Sequence, residues 1–122
     1  MNEEIERALK ADRLIDITTT GRKSGNPHRI EITFQYFDEG LFICGLPGPR
    51  DWYANMVANP QITFHLKQSL KVDIPATATP VLAETQRRAI LAKIVQIWDR
   101  QDELEKFMES SPLVKVQLEV GD

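Results

Sequence analysis

One cysteine, two histidines and two tyrosines leave this 122-residue chain poor in thiol, imidazole and phenol groups, which often serve as nucleophiles, metal ligands or proton donors. The lone thiol, Cys44, excludes an internal disulfide and suits a reducing compartment. His28 and His65 have no further histidine, cysteine or carboxylate at ligand spacing, which argues against a metal centre; both read as surface or satisfied residues. The most apolar stretch, 89–98, is interrupted by Lys93 and Gln96 and is too short to span a bilayer. Excess positive charge is also lacking. Fifteen Lys and Arg against eighteen Asp and Glu give a net charge of −3, which argues against a nucleic-acid binder. The acidic start, Met-Asn-Glu-Glu-Ile-Glu, stands where a secretion signal would be basic. A cytoplasmic protein without an integral membrane segment is therefore expected.

What is present is ordinary for a globular chain: 42% hydrophobic and 27% charged residues. No repeat, linker or low-complexity tract divides it, so residues 1–122 are expected to form one domain, burying roughly two-thirds of its unfolded surface. Ile5, Ala8 and Leu9 predict a short amphipathic helix over 2–12. The β-branched run 14–20 predicts a strand ended by Gly21. From Ile30 to Tyr36 apolar and polar residues alternate, as in a half-buried strand, and Asp38-Glu39-Gly40 turns it into a second strand over 41–44. Asp51 is placed to cap a helix running through Ala58, which Asn59-Pro60 ends. A second hairpin follows around 67–69, then the strongest helix, 84–98, with an apolar stripe of Ile90, Leu91, Ile94, Val95, Ile97 and Trp98. An acidic helical piece over 99–109 precedes a last alternating strand over 114–120. About six mostly antiparallel strands with peripheral helices indicate an α+β fold, a small barrel closed by the last strand.

Conventional catalytic groupings are scarce. Cys44 ends an apolar strand and reads as core rather than nucleophile, and no serine sits in a nucleophile elbow. A cofactor would then supply any chemistry, with the protein binding and orienting it. Two loops suit that role. The first, 21–29, gathers Arg22, Lys23 and Arg29, with His28 beside them, among glycines and Ser24; it reads equally as an anion site or a solvated basic turn. The second, 45–55, feeds a glycine- and proline-rich turn into a helix N-terminus, whose amides favour an anion or an electron-rich ring edge. Trp52 there reads equally as a core anchor or a ligand contact.

The two segments Thr-Thr-Gly-Arg-Lys-Ser-Gly-Asn-Pro, residues 19–27, and Trp-Tyr-Ala-Asn-Met-Val-Ala-Asn-Pro, residues 52–60, resemble the deazaflavin-dependent nitroreductase family, among the flavin/deazaflavin oxidoreductases of the split β-barrel fold. The similarity runs over residues 14–82. It implies a split β-barrel and an enzyme that binds the deazaflavin coenzyme F420, or alternatively FMN. Hydride would pass between that cofactor and a small-molecule electron acceptor such as a quinone or nitro compound. The resemblance further implies that Lys23, Ser24, Gly25 and Arg29 hold the cofactor's phosphate and acidic tail, and the charge of Arg22 in the same loop is expected to join them. Ile30 and Ile32 would border its ring. Gly45, Leu46, Pro47 and Gly48 would bring backbone amides to the ring's polar edge, with Arg50, Trp52, Tyr53 and Asn55 completing the site. Related barrels often dimerise, which leaves a homodimer open. The second loop is shorter than in the family and lacks its lysine. This motivates an alternative, a non-catalytic barrel that binds a flavin, haem or lipid-like molecule; a third reading is a protein-interaction domain whose side chains fill its own cavity.

Overall fold

In the computed structural model, which describes residues 2–120, each local pattern becomes an element close to where the sequence puts it. Helix α1 spans Glu3–Ala11, and the Asn2 side chain caps it by accepting from the Glu4 and Ile5 amides. Strands β1 (Leu14–Thr20), β2 (Pro27–Thr33), β3 (Gln35–Phe37) and β4 (Gly40–Cys44) precede α2 (Asp51–Ala58). Strands β5 (Gln61–Leu66) and β6 (Val72–Pro80) follow, then α3 (Glu84–Ile97), a 3-10 turn (Gln101–Glu103), α4 (Leu104–Ser110) and β7 (Leu113–Leu118). Gly40, with φ 137°, makes the β3–β4 turn in a conformation open to glycine, and a Cβ there would meet Lys115 Cε at 2.8 Å.

Seven strands form one antiparallel sheet in the order β2-β1-β5-β6-β7-β4-β3. That is one strand more than the alternation suggested, because the expected strand over 30–36 is two. It breaks at Phe34, whose amide donates to Arg13 C=O (3.3 Å) and whose buried ring meets Phe64 edge-on at 5.8 Å. β2 and β3 flank this one residue yet lie on opposite edges of the sheet. The sheet must therefore curl until its edges nearly meet, which makes the expected split barrel. β7 lies between β6 and β4 and closes it.

Curling produces two cores. Inside the barrel lie Ile15, Ile17, Phe34, Ile43, Met56 and Phe64. Outside it, Phe42 and Cys44 pack with Ile90, Leu91, Ile94 and Phe107 under α3 and α4. β4 therefore buries both faces, which explains its unbroken apolar run from 41 to 44. Burying a phenylalanine such as Phe42 or Phe64 is worth about 1.5–3 kcal/mol. On α3 the apolar stripe narrows: Ile97, expected in the core, is 56% exposed. β2 departs most from expectation. It is an exposed edge strand rather than a half-buried one, with Ile30 37% exposed, because only β1 borders it.

The outer face of this edge carries an ion-pair network. Asp16 on β1 receives Lys67 Nζ at 2.7 Å and Arg29 Nε at 3.0 Å, and Lys67 also pairs with Glu31. The Lys67 hydrogen bond, more than that of Arg29, holds the Asp16 carboxyl below its ordinary value of 3.8, against an opposing desolvation. The unfolded chain then takes up the proton more readily. The stability this contributes is complete above pH 3.8 and is lost as pH falls through the lower folded-state value. Urea midpoints should accordingly fall between about pH 6 and about pH 3 more shallowly in Asp16→Asn than in the parent. Equal slopes in the two proteins would refute the role of Asp16.

Candidate functional site

Helix α2 packs its Trp52, Asn55 and Met56 face against the barrel mouth. Asn55, only 5% exposed, is the link between this helix and the basic loop. Its Oδ1 accepts both the Arg22 backbone N–H (3.1 Å) and Arg22 Nη1 (2.9 Å), while its Nδ2 donates to Thr19 Oγ1 (3.3 Å). One turn on, Asn59 Nδ2 donates to Thr20 C=O at 3.4 Å. The two asparagines thus tie the end of β1 and the following loop to one helix face.

Asp51 does not cap α2, as its position had suggested. The capping position is Arg50, which makes no side-chain hydrogen bond to the helix. The Asp51 carboxylate turns outward to Arg22 Nη2 at 3.2 Å, because the guanidinium is already held there by Asn55. Among the described residues no side-chain hydrogen bond caps the first turn of α2, an end that favours an anion.

The clamp shapes a hollow of about 530 Å³ between the basic loop, β2 and α2. Of the residues expected at the site, Arg22, Lys23, Ser24, Ile30, Trp52 and Asn55 line it, together with His28, Thr19, Gly21 and Asp51. Arg22 is spent on Asn55 and Asp51, whereas Lys23 stands in no ion pair among the described residues. Ile30 and part of the largely buried Trp52 side chain give this hollow its apolar wall. The remaining expected residues lie elsewhere. Arg29 points to the other side of β2, to Asp16, since side chains alternate along a strand and His28 takes the inner position. Gly25 and Ile32 do not line the hollow.

The second loop takes a different course from the one its sequence suggested. The Gly45 amide donates to Pro112 C=O (2.9 Å) and the Gly48 amide to Ser110 C=O (3.0 Å). The segment between α4 and β7 runs alongside and consumes both N–H groups, leaving neither for a ring edge. Gly45 is needed for that approach: a Cβ on it would lie 2.8 Å from Pro112 Cγ. Leu46 and Pro47 line neither hollow. Gly48, Arg50 and Tyr53 belong to a second hollow, about 650 Å³, on the far side of α2.

Arg87, at the back of this second hollow, gave no signal in the sequence beyond a charged position on an amphipathic helix. It is 9% exposed, and no carboxylate among the described residues pairs with it. Instead Nε donates to Met108 C=O (3.0 Å), Nη1 to Val81 C=O (3.2 Å), and Nη2 to Phe107 C=O (2.9 Å) and Ser111 C=O (2.6 Å). Three of these carbonyls close the C-terminal end of α4, where the helix dipole favours a cation.

Other reactive groups are tied up. Burial pushes the Cys44 thiol up to about 12, against a weaker pull from Arg87, so it stays protonated in the core, as its strand position implied. His65 is buried and satisfied, bonded to Thr18 Oγ1 and Asp73 Oδ1 at 2.7 Å each. No cluster that could hold a metal ion occurs among the described residues, and no helix among them is long and apolar enough to cross a membrane.

With this geometry in view, comparison with known proteins gives a consistent result. The family model for F420H(2)-dependent quinone reductase matches residues 1–117. No curated protein matches the chain. Among solved structures, a putative pyridoxamine 5'-phosphate oxidase from Listeria innocua is similar with a TM-score of 0.76 at 16% identity, covering 97% of this chain and 93% of that one. The haem storage protein HutZ from Vibrio cholerae gives 0.74 at 18%, covering 97% and 89%. An F420-H2 dependent reductase, FDR-A, gives 0.61 at 22%, covering 86% and 94%. At these identities the likeness is one of fold, and all three confirm the split barrel.

Proposed function

Because the chain belongs to the F420H(2)-dependent quinone reductase family, we propose that it is an oxidoreductase that binds reduced F420 in the hollow between the basic loop and α2 and passes hydride to a quinone-type acceptor. The observation that carries this reading is the division of labour around Asn55. It spends Arg22 on fixing the loop and leaves Lys23 and the Ser24 hydroxyl facing the hollow, beside an apolar wall of Ile30 and Trp52. An anionic tail and a flat ring require this combination. When bound, the deazaflavin supplies the hydride. The chain's own part is to hold the tail with Lys23 and Ser24, to offer the first amides of α2 to negative charge, and to press Ile30 and Trp52 against the ring. The acceptor would be small and electrophilic; the nitro compounds suggested by the nitroreductase resemblance are substrates to test beside quinones. The buried thiol fits a reducing, cytoplasmic setting, with the whole chain acting as one cofactor-binding unit.

Fluorescence titration with F420 and with FMN tests the assignment. F420 should bind in preference, and Lys23→Ala should weaken it about tenfold or more while leaving the thermal midpoint unchanged, since one charge-assisted hydrogen bond is lost. FMN preference would move the chain to flavin chemistry. Binding of either without reduction of any quinone would favour a non-catalytic carrier, and binding of neither would refute the reading.

A further inference from the structure

Two polar side-chain atoms, from the basic loop and from β2, pack closely over Gly21. A Cβ on Gly21 would stand 2.6 Å from Ser24 Oγ and 2.7 Å from His28 Nε2. Both atoms therefore sit side by side against Gly21, and all three residues line the hollow between the basic loop and α2. Ser24 Oγ accepts the Asn26 amide at 3.1 Å, which leaves its own proton free to donate outward. Of the two histidines, His65 is bonded at both ring nitrogens; no partner among the described residues claims the His28 ring.

The polar and charged groups facing His28 come from three elements. The basic loop contributes Arg22 and Lys23, α2 contributes Asp51 beside the neutral Asn55 and Trp52, and β1 contributes Thr19 opposite His28 in the ladder. Asp51 is already paired with Arg22. Lys23 is thus the uncompensated charge near the imidazole, and an anion placed between them would favour the protonated ring.

We propose that His28 is a proton-linked anion contact, which joins Lys23 and the Ser24 hydroxyl on one phosphate-type oxyanion and makes its binding depend on pH. This rests on reading the hollow as the site of the cofactor's anionic tail, and it adds a residue and a regulation to that reading. Arg29, which the sequence favoured for this role, is committed to Asp16 on the opposite face of β2.

Sulfate keeps its charge across the neutral range, so any pH dependence of its binding belongs to the protein. Proton NMR follows the His28 ring, identified by its absence in His28→Gln, with sulfate and separately with F420. Each anion should raise the His28 titration midpoint, and sulfate should bind about tenfold or more tightly below that midpoint than above it, the worth of one charged hydrogen bond. His28→Gln should bind weakly with no pH dependence. Gly21→Ala, whose methyl group would push Ser24 Oγ and the His28 ring away from each other's side, should keep the His28 signal and lose its response to sulfate. An unmoved His28 midpoint with either anion bound, absence of sulfate binding at any pH, or an unchanged pH profile in His28→Gln would overturn the proposal. A response to sulfate in a protein that ignores F420 would uphold the anion contact and remove the cofactor reading. F420 binding with His28 unmoved would do the reverse.

Discussion

Replacing Arg87 with methionine is expected to lower the unfolding free energy by about 4 kcal/mol, within the range found when one member of a buried, hydrogen-bonded charge system is removed. Methionine has similar reach and keeps the packing of the stem. It cannot donate to the carbonyls of Val81, Phe107, Met108 and Ser111, which the guanidinium serves at 2.6–3.2 Å. Phe107 C=O keeps the Ser111 amide as donor at 2.9 Å; each other buried carbonyl that is left without a partner costs about 1–3 kcal/mol, offset where water from the second hollow can reach it. Arg87→Lys should recover only part of the loss, since one ammonium cannot span four acceptors held around a planar fork. Urea unfolding supplies the measurement, with the thermal midpoint falling by about 10 °C or more. A methionine variant within about 1 kcal/mol of the parent would mean that the freed carbonyls are readily rehydrated.

Asn55→Leu tests the other buried polar side chain on which the site depends. Leucine fills nearly the same volume but cannot accept from Arg22 N–H and Nη1 or donate to Thr19. The expected stability loss is about 2 kcal/mol, from one buried and two part-buried hydrogen bonds. The larger effect should fall on binding. The basic loop would lose its fixed position, and F420 affinity should drop about 30-fold or more, because a loop that must be ordered by its ligand binds with the ordering cost subtracted. Paired titration and unfolding measurements on one preparation separate the two effects. Stability falling while affinity stays at the parent value would show that the loop is positioned without Asn55.

Local pattern made much of this molecule legible. β1 spans the predicted 14–20, α2 the predicted 51–58, and α3 stops one residue short of the predicted 84–98, because each is set by periodicity or by Gly and Pro punctuation within a few residues. What escaped depends on the curl of the sheet. Alternation from Ile30 to Tyr36 continues straight through Phe34, and nothing in it marks the residue at which the chain passes from one edge of the sheet to the other. Edge position likewise decides that Ile30 is exposed although Ile17, its partner in the ladder, is fully buried. In the site, the grouping of Lys23, Ser24, Trp52 and Asn55 followed from two nearby motifs. The commitments of Arg29 to Asp16, of Asp51 to Arg22 and of the Gly45 and Gly48 amides to the 110–112 segment are made with partners 13 to 67 residues away, beyond the range of any local pattern. Arg87 is the extreme case, since its partners are backbone carbonyls, which no residue type announces.

The position of β7 also bears on how the protein is made. Its neighbours β6 and β4 precede it in the chain by tens of residues and are joined only through it. During translation both strands leave the ribosome with bare, hydrogen-bonding edges and wait for Leu113–Leu118 to arrive between them. Until then the β3–β4 hairpin, whose Leu41, Phe42 and Ile43 are buried only in the finished sheet, has no place to dock. The nascent chain is most exposed to misassociation in this interval. Chaperone dependence should therefore be governed by the time between synthesis of β4 and release of β7, more than by the stability of the finished barrel.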